Sequence, residues 1–155
     1  MHRSVPWFLL AAVITVADQI SKAIALAGLV RHDPVPVLPF FNLTMVHNTG
    51  AAFSFLAGAG GWQRWFFITL TIVISVAIGV WLARGASRRP PTATALALVL
   101  GGALGNLIDR IRFGYVIDFL DFHAAGWHWP AFNIADAAIS VGALLLAFLA
   151  LTGRE

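Results

Sequence analysis

Four long apolar runs dominate the chain, and their lengths predict helices that cross a bilayer, which takes about 20 mostly apolar residues per helix. The predicted spans are 7–30, 65–83, 92–110 and 132–153. The first is interrupted by Asp18 and Lys22, and the last carries Asp136 as its only charge. The run near the start is too long for a cleavable leader and lacks an obvious Ala-x-Ala site, so it is read as a span. The stretch 34–63 also lacks Lys, Arg, Asp and Glu, but it is no fifth span. Pro34, Pro36 and Pro39 interrupt any helix in its first half, and Gly58, Gly60 and Gly61 interrupt its second half. Within it, Phe41-Asn42-Leu43-Thr44-Met45 alternates apolar and polar positions, the pattern of a half-buried strand. The expected fold is therefore an all-α membrane protein: one integral membrane domain over 1–155, four transmembrane helices, and a small extracytoplasmic β-like platform over 34–63.

Composition strengthens the membrane reading. Hydrophobic residues make up 59% of the chain and charged residues 11%, against about 45–50% and about 25% in soluble domains. Mean hydropathy is +0.83. The net charge of +3 comes from ten scattered Lys and Arg, with no basic stripe of the kind that holds nucleic acid. The short Arg84–Arg89 loop is the best orientation signal, because short basic loops stay cytoplasmic. Both termini are then expected inside and the platform outside.

The absence of cysteine removes disulfides, thiolate metal sites and cysteine nucleophiles together. Glu155 is the sole glutamate, so carboxylate chemistry falls to Asp18, Asp33, Asp109, Asp118, Asp121 and Asp136. An H-E-x-x-H metal site is impossible without an internal glutamate, and neither G-x-S-x-G nor a phosphate-binding P-loop occurs. His47, His123 and His128 read as interfacial anchors, alongside Trp127 and Trp129. Gly101, Gly102 and Gly105 read as a site of close helix packing.

Ionisable residues within spans are costly and point to function. Asp18 and Lys22 share a helix face at i, i+4 and can pair. Asn106 and Arg110 have the same spacing, and Asn133 and Asp136 lie three apart. Asp109, Asp118 and Asp136 all fall toward one membrane face. Two aspartates in a poorly solvated site share a proton, because both cannot ionise cheaply. That is the equipment of an aspartic protease, and spacing alone leaves open which two pair. A proton-coupled transporter using these aspartates, and a non-catalytic assembly factor, are the rival readings.

The motifs then bring a specific resemblance. Asp18-Gln19-Ile20-Ser21-Lys22, Asn48-Thr49-Gly50-Ala51-Ala52-Phe53, the run from Gly101 to Arg110, Val116-Ile117-Asp118-Phe119 and Phe132-Asn133-Ile134-Ala135-Asp136 stand in order along the chain. Together they resemble the lipoprotein signal peptidases (signal peptidase II) of bacteria. The resemblance implies an inner-membrane aspartyl endopeptidase that removes signal peptides from prolipoproteins, cutting before a diacylglyceryl-modified cysteine. It implies Asp118 and Asp136 as the catalytic pair. Asn48, Gly50, Asn106, Asp109, Arg110, Asn133, Asp18 and Lys22 carry over as supporting positions. No metal or cofactor is expected. The expected partners are lipidated prolipoproteins and membrane lipid, for a monomeric enzyme. Arg110 is expected to hold its neighbour Asp109 ionised, which disfavours Asp109 as a proton-sharing acid. The role of Asp121 stays open in the sequence, a solvated interfacial acid being the simplest reading.

Overall fold

The structure, a computed structural model, describes residues 3–50, 60–85 and 88–153. Ala51, Ala52 and Phe53 of the second motif, and the centre of the expected platform at 51–59, lie outside the described residues. Four helices are long and apolar enough to cross a membrane: α1 (Val5–Gly28), α2 (Trp62–Arg84), α3 (Pro90–Arg112) and α4 (Ile134–Thr152). Pro6 near the start of α1, and Pro90 and Pro91 opening α3, occupy first-turn positions where a missing N–H costs nothing.

Helix α3 is the axis of the bundle and packs against each of the other three. Two thirds of its apolar window is buried, whereas α1, α2 and α4 turn most of theirs outward. Val13 on α1, Val76 on α2 and Leu144 on α4 are among the outward residues, as suits a lipid surround. Lipid tails are as apolar as leucine, so close packing and interhelical hydrogen bonds hold such helices together. The glycines of α3 supply the first. A Cβ added at Gly101 would lie 2.6 Å from the Ala11 carbonyl oxygen of α1. One added at Gly102 would run into the Ala135 carbonyl of α4, and one at Gly105 would sit 2.5 Å from the Asp18 carboxylate. Thr15 supplies the second, its hydroxyl donating to the Gly101 carbonyl at 2.9 Å. The glycine run thus joins α3 to α1 on one side and to α4 on the other.

A four-stranded antiparallel sheet fills the connections at one end of the bundle, in the order β1-β2-β3-β4. Strands β1 (Val35–Leu38) and β2 (Phe41–Asn48) form a hairpin between α1 and α2. Pro36 sits on β1, an edge strand, where a missing donor breaks no ladder. Strands β3 (Val116–Ala124) and β4 (Trp127–His128) lie between α3 and α4. The sheet is therefore wider than the 34–63 platform expected from sequence, and half of it comes from the later connection. Beneath it, Met45, Ile117 and Phe119 pack with Ala25 of α1.

Two pairings place the site. Strand β2 runs antiparallel to β3 with Asn48 opposite Val116 and Val46 opposite Asp118. Phe132 then bonds back to β3: its N–H donates to the Leu120 carbonyl at 3.1 Å, and its own carbonyl accepts from Phe119 and Leu120. This clamp fixes the start of α4 against the strand that carries Asp118.

Candidate active site

Asp118 is on β3 and 1% exposed. Its two oxygens accept from two asparagines: Asn133 Nδ2 donates at 2.7 Å and Asn48 Nδ2 at 3.0 Å. Asp136, in the first turn of α4, accepts from Asn106 Nδ2 at 2.7 Å. Asn133 joins the two acids. As N-cap of α4 its Oδ1 accepts the Asp136 N–H at 2.8 Å, while its amide nitrogen reaches Asp118. Only an asparagine-like side chain can cap with one atom and donate to a carboxylate with the other.

The Asn106 amide is held in one orientation by charge. Lys22 Nζ donates to Asn106 Oδ1 at 2.9 Å. An ammonium has no acceptor, so the oxygen must face Lys22 and the amide nitrogen must face Asp136. Lys22 itself is 1% exposed and lies 2.8 Å from both Asp18 and Asp109. Gln19 links the same two acids, donating to Asp109 Oδ1 at 2.9 Å and to Asp18 Oδ2 at 3.3 Å. Both acids also grip the backbone: Asp18 Oδ1 accepts from the Ala135 N–H at 2.9 Å, and Asp109 Oδ2 from the Ile117 N–H at 3.1 Å. Asp18 thereby meets the positive end of the α4 dipole. Lys22, the one lysine of the chain, thus holds two carboxylates that anchor the elements on either side of Asp118 and Asp136.

Asp109 differs from the sequence expectation. Its cationic partner is Lys22, which reaches it from α1, and not the adjacent Arg110. Adjacent helical residues diverge in direction, so Arg110 instead donates to the Gly50 carbonyl at 2.8 Å and stacks over the Phe67 ring, 5.1 Å from its centroid. Asn48 Oδ1 accepts the Gly50 N–H at 3.0 Å. The end of β2 is thus tied both to Asp118 and to α3.

Asp121 also departs from expectation. It is buried, not solvated. Asn42, directly opposite on β2, donates to it at 3.0 Å, and His128 Nδ1 lies 2.8 Å away. Burial pushes its carboxyl up, but the contacts from His128 and Asn42 outweigh burial and leave it below the ordinary value. His128 is accordingly a carboxylate partner and more than an interfacial anchor, stacked on His123 at 5.0 Å. His47 stacks on Tyr115 at 4.0 Å.

The electrostatics of Asp118 run the other way. Burial first, and the charge of Asp136 second, push its carboxyl up to about 7, against the pull of Asn48, Asn133 and Lys22. Beside Asp136 lies a cleft of about 440 Å³ whose polar wall also includes Asn48, Asn106 and Arg110; buried Asp118 does not line it but is reached through Asn48, which does. Trp129, Phe132, Ile139 and Val141 line the apolar side. Such an arrangement can hold one proton between two acids next to an apolar ligand. Among the described residues, no group of three His, Asp or Glu is placed to hold a metal ion.

All ten site residues expected from sequence converge on this region; Gln19 and Arg64 join them, and Asn42 holds Asp121 further along β3. Gln19 lies within the first motif, but at a position to which the resemblance assigns no role. Asn42 reads only as one polar position of an alternating strand. Arg64 donates to the Arg110 and Ile111 carbonyls, both at 3.0 Å, and so holds the C-terminal end of α3.

Fold and site together define a multi-pass membrane protein in which Asn133 bridges two aspartates at the edge of a partly apolar cleft. The family model described as signal peptidase (SPase) II matches residues 10–152. Among similar proteins is a lipoprotein signal peptidase of Paraburkholderia phymatum, 50% identical over 143 residues, covering 92% of this chain and 86% of that one. Another, from Alteromonas mediterranea, is 53% identical over 137 residues, covering 88% and 75%. Two solved structures described as bacterial membrane enzymes align with TM-scores of 0.86 and 0.81, each at 34% identity. They cover 95% and 94% of this chain, and 88% and 92% of their own. The chain belongs to the signal peptidase II family, and is a multi-pass bacterial membrane peptidase.

Proposed function

We propose that this protein removes the signal peptide from prolipoproteins by aspartyl hydrolysis, cutting before a diacylglyceryl-modified cysteine. Asp118 and Asp136 are the catalytic pair in this reading. The observation that carries it is the coupling of the two acids: Asp118 is buried, raised to about 7 partly by the charge of Asp136, and tied to it through Asn133. One carboxylate takes a proton from water as the oxygen attacks the scissile carbonyl, and the protonated partner donates to the carbonyl oxygen. Collapse of the tetrahedral intermediate breaks the C–N bond, and the departing amine takes a proton. The products are a new carboxylate on the signal peptide and a free amino group on the lipidated cysteine.

The supporting residues divide by what they touch. Asn48, Asn106 and Asn133 donate to the acids and fix their rotamers. Lys22, held by Asp18 and Asp109, fixes Asn106. Arg110 and Gly50 tie the end of β2 beside the cleft. The apolar wall of Trp129, Phe132, Ile139 and Val141 suits a signal-peptide segment, while acyl chains stay in lipid. No metal or cofactor takes part. The test is cleavage of one purified precursor, with and without its diacylglyceryl group, by the purified protein. Cleavage of the lipidated form alone supports the reading, and no cleavage of either form contradicts it.

In the same reading both termini are cytoplasmic and the pair lies near the outer face of the inner membrane, as the Arg84–Arg89 loop favours. The chain has no cysteine of its own. Val37→Cys and Trp127→Cys, at exposed positions, are expected to react with an impermeant thiol reagent added outside intact cells. Arg84→Cys is expected to stay unlabelled. Labelling at Arg84→Cys and not at Trp127→Cys would reverse the orientation.

A further inference from the structure

A second cavity, of about 540 Å³, opens at the end of the bundle away from the sheet. It lies among α2, Gly85, Arg88 and Arg89, the first turn of α3 and the last turns of α4. Arg88, Arg89 and Thr92 line it with Trp81, Leu146 and Leu149. Three observations point to an anionic occupant. Neither guanidinium has an acidic partner among the described residues. The Thr92 side chain is buried at 5% exposure, and its hydroxyl has no hydrogen-bond partner. Buried hydroxyls are rarely left unpaired unless a ligand, ion or water completes them. Third, the aspartates all lie on α1, α3, α4 or the connections toward the sheet, so no described carboxylate opposes an anion at this end. The first turn of α3 adds a positive dipole end.

The other wall chooses between anions. Leu146 and Leu149, half-buried and buried, form an apolar floor, while Ala150 and Trp81 at its rim are exposed, Trp81 where an interfacial ring sits. A free phosphate would gain nothing from them. We propose that this cavity is a binding site for an anionic phospholipid. Its phosphodiester is held by Arg88, Arg89 and the Thr92 hydroxyl, with its acyl chains leaving the cavity past Trp81 and Ala150. Basic pockets between membrane helices bind anionic headgroups in this manner, and guanidinium groups engage phosphate oxygens two at a time. The site is independent of the cleft beside Asp136 and needs no assumption about the reaction.

The test titrates the purified full-length protein in neutral detergent with phosphatidylglycerol, with phosphatidylcholine of the same acyl chains, or with inorganic phosphate. Bound lipid is read by native mass spectrometry and the melting midpoint is followed alongside. Phosphatidylglycerol is expected to bind at least about tenfold more tightly than phosphatidylcholine, the scale that two basic residues supply near an anionic headgroup. Inorganic phosphate is expected to leave the midpoint unchanged. Arg88→Gln with Arg89→Gln brings phosphatidylglycerol to the phosphatidylcholine level. Thr92→Val, which keeps the shape of the side chain, weakens it by a smaller factor, and Arg3→Gln leaves it unchanged. Equal binding of the two lipids, or a preference that survives both the paired arginine substitution and Thr92→Val, would overturn the proposal. Stabilisation by inorganic phosphate alone would overturn it in favour of a free-anion site, and an Arg3→Gln effect as large as that of the arginine pair would reduce it to diffuse charge.

Discussion

Asp118→Asn and Asp136→Asn are each expected to lower cleavage of a lipidated precursor by about 10²–10⁴-fold, the scale on which general acid–base groups act. The fold is expected to survive. Asparagine keeps the volume and one acceptor oxygen, so Asn106 keeps its partner at position 136, while at position 118 one of Asn133 and Asn48 keeps its acceptor and the other loses it. At Asp118 the substitution also removes an acid that prefers its proton in the folded state. Between the ordinary aspartate value and about 7 the folded protein holds more protons at this site than the unfolded chain, so stability falls as pH rises through that window and then levels off. The variant escapes that loss and is expected to melt no lower than the parent at about pH 8. Because the pair acts as a unit, the double variant is expected to be little worse than either single one. Asp33→Asn, at an exposed position, is the appropriate silent control. Asp121 is not, since its burial and its bonds to Asn42 and His128 give it a structural role. Near-normal turnover in either single variant would exclude the paired-acid mechanism.

The second large effect is expected on stability, at Lys22. Lys22→Met leaves Asp18 and Asp109 facing each other without their cation and leaves Asn106 Oδ1 without its ammonium donor. Removing one partner from a buried ion pair costs about 3–5 kcal/mol. Asp18→Asn is expected to be milder, because Lys22 retains Asp109 and the asparagine oxygen can still accept the Ala135 N–H. The double variant Asp18→Asn with Lys22→Met is expected to recover part of the loss, since the two uncompensated carboxylates become one. Melting midpoints and folded yield in detergent measure this order. A Lys22→Met protein as stable as the parent, or strictly additive losses, would show that the three charges do not act together.

The helices are legible in the sequence because lipid imposes a length and a polarity that few other structures satisfy. Their apolar runs, 7–30, 65–83, 92–110 and 132–153, correspond to helices Val5–Gly28, Trp62–Arg84, Pro90–Arg112 and Ile134–Thr152. The first sheet strands are legible from prolines and alternation. Strand β3 is not. Its first four residues, Val116 to Phe119, are all buried, so the two-residue alternation that marks a half-exposed strand is missing. The signal that remains is a β-branched and aromatic run between Gly114 and Gly126, both of which adopt positive φ at turns. Asp118 and Asp136 stand out by motif, but only the pairing of Phe132 with Leu120 explains how two residues so far apart in sequence come to one place. The partner of Asp109 escapes sequence reasoning for a related reason. Neighbours in sequence diverge on a helix, and the closing contact comes from α1.

The measurement that bears most directly on the paired-acid account is the pH dependence of kcat/KM for cleavage of a lipidated precursor by the purified protein. That quantity reports ionisations of the free enzyme. With Asp118 raised to about 7, the pair keeps one shared proton below that pH and loses it above. The account therefore predicts a bell whose alkaline limb falls from about pH 7, tenfold per pH unit as one proton is lost, with an acid limb where the second carboxylate is protonated. Both limits belong to the pair jointly. A profile that stays flat or climbs from about pH 6 to about pH 9 would contradict it.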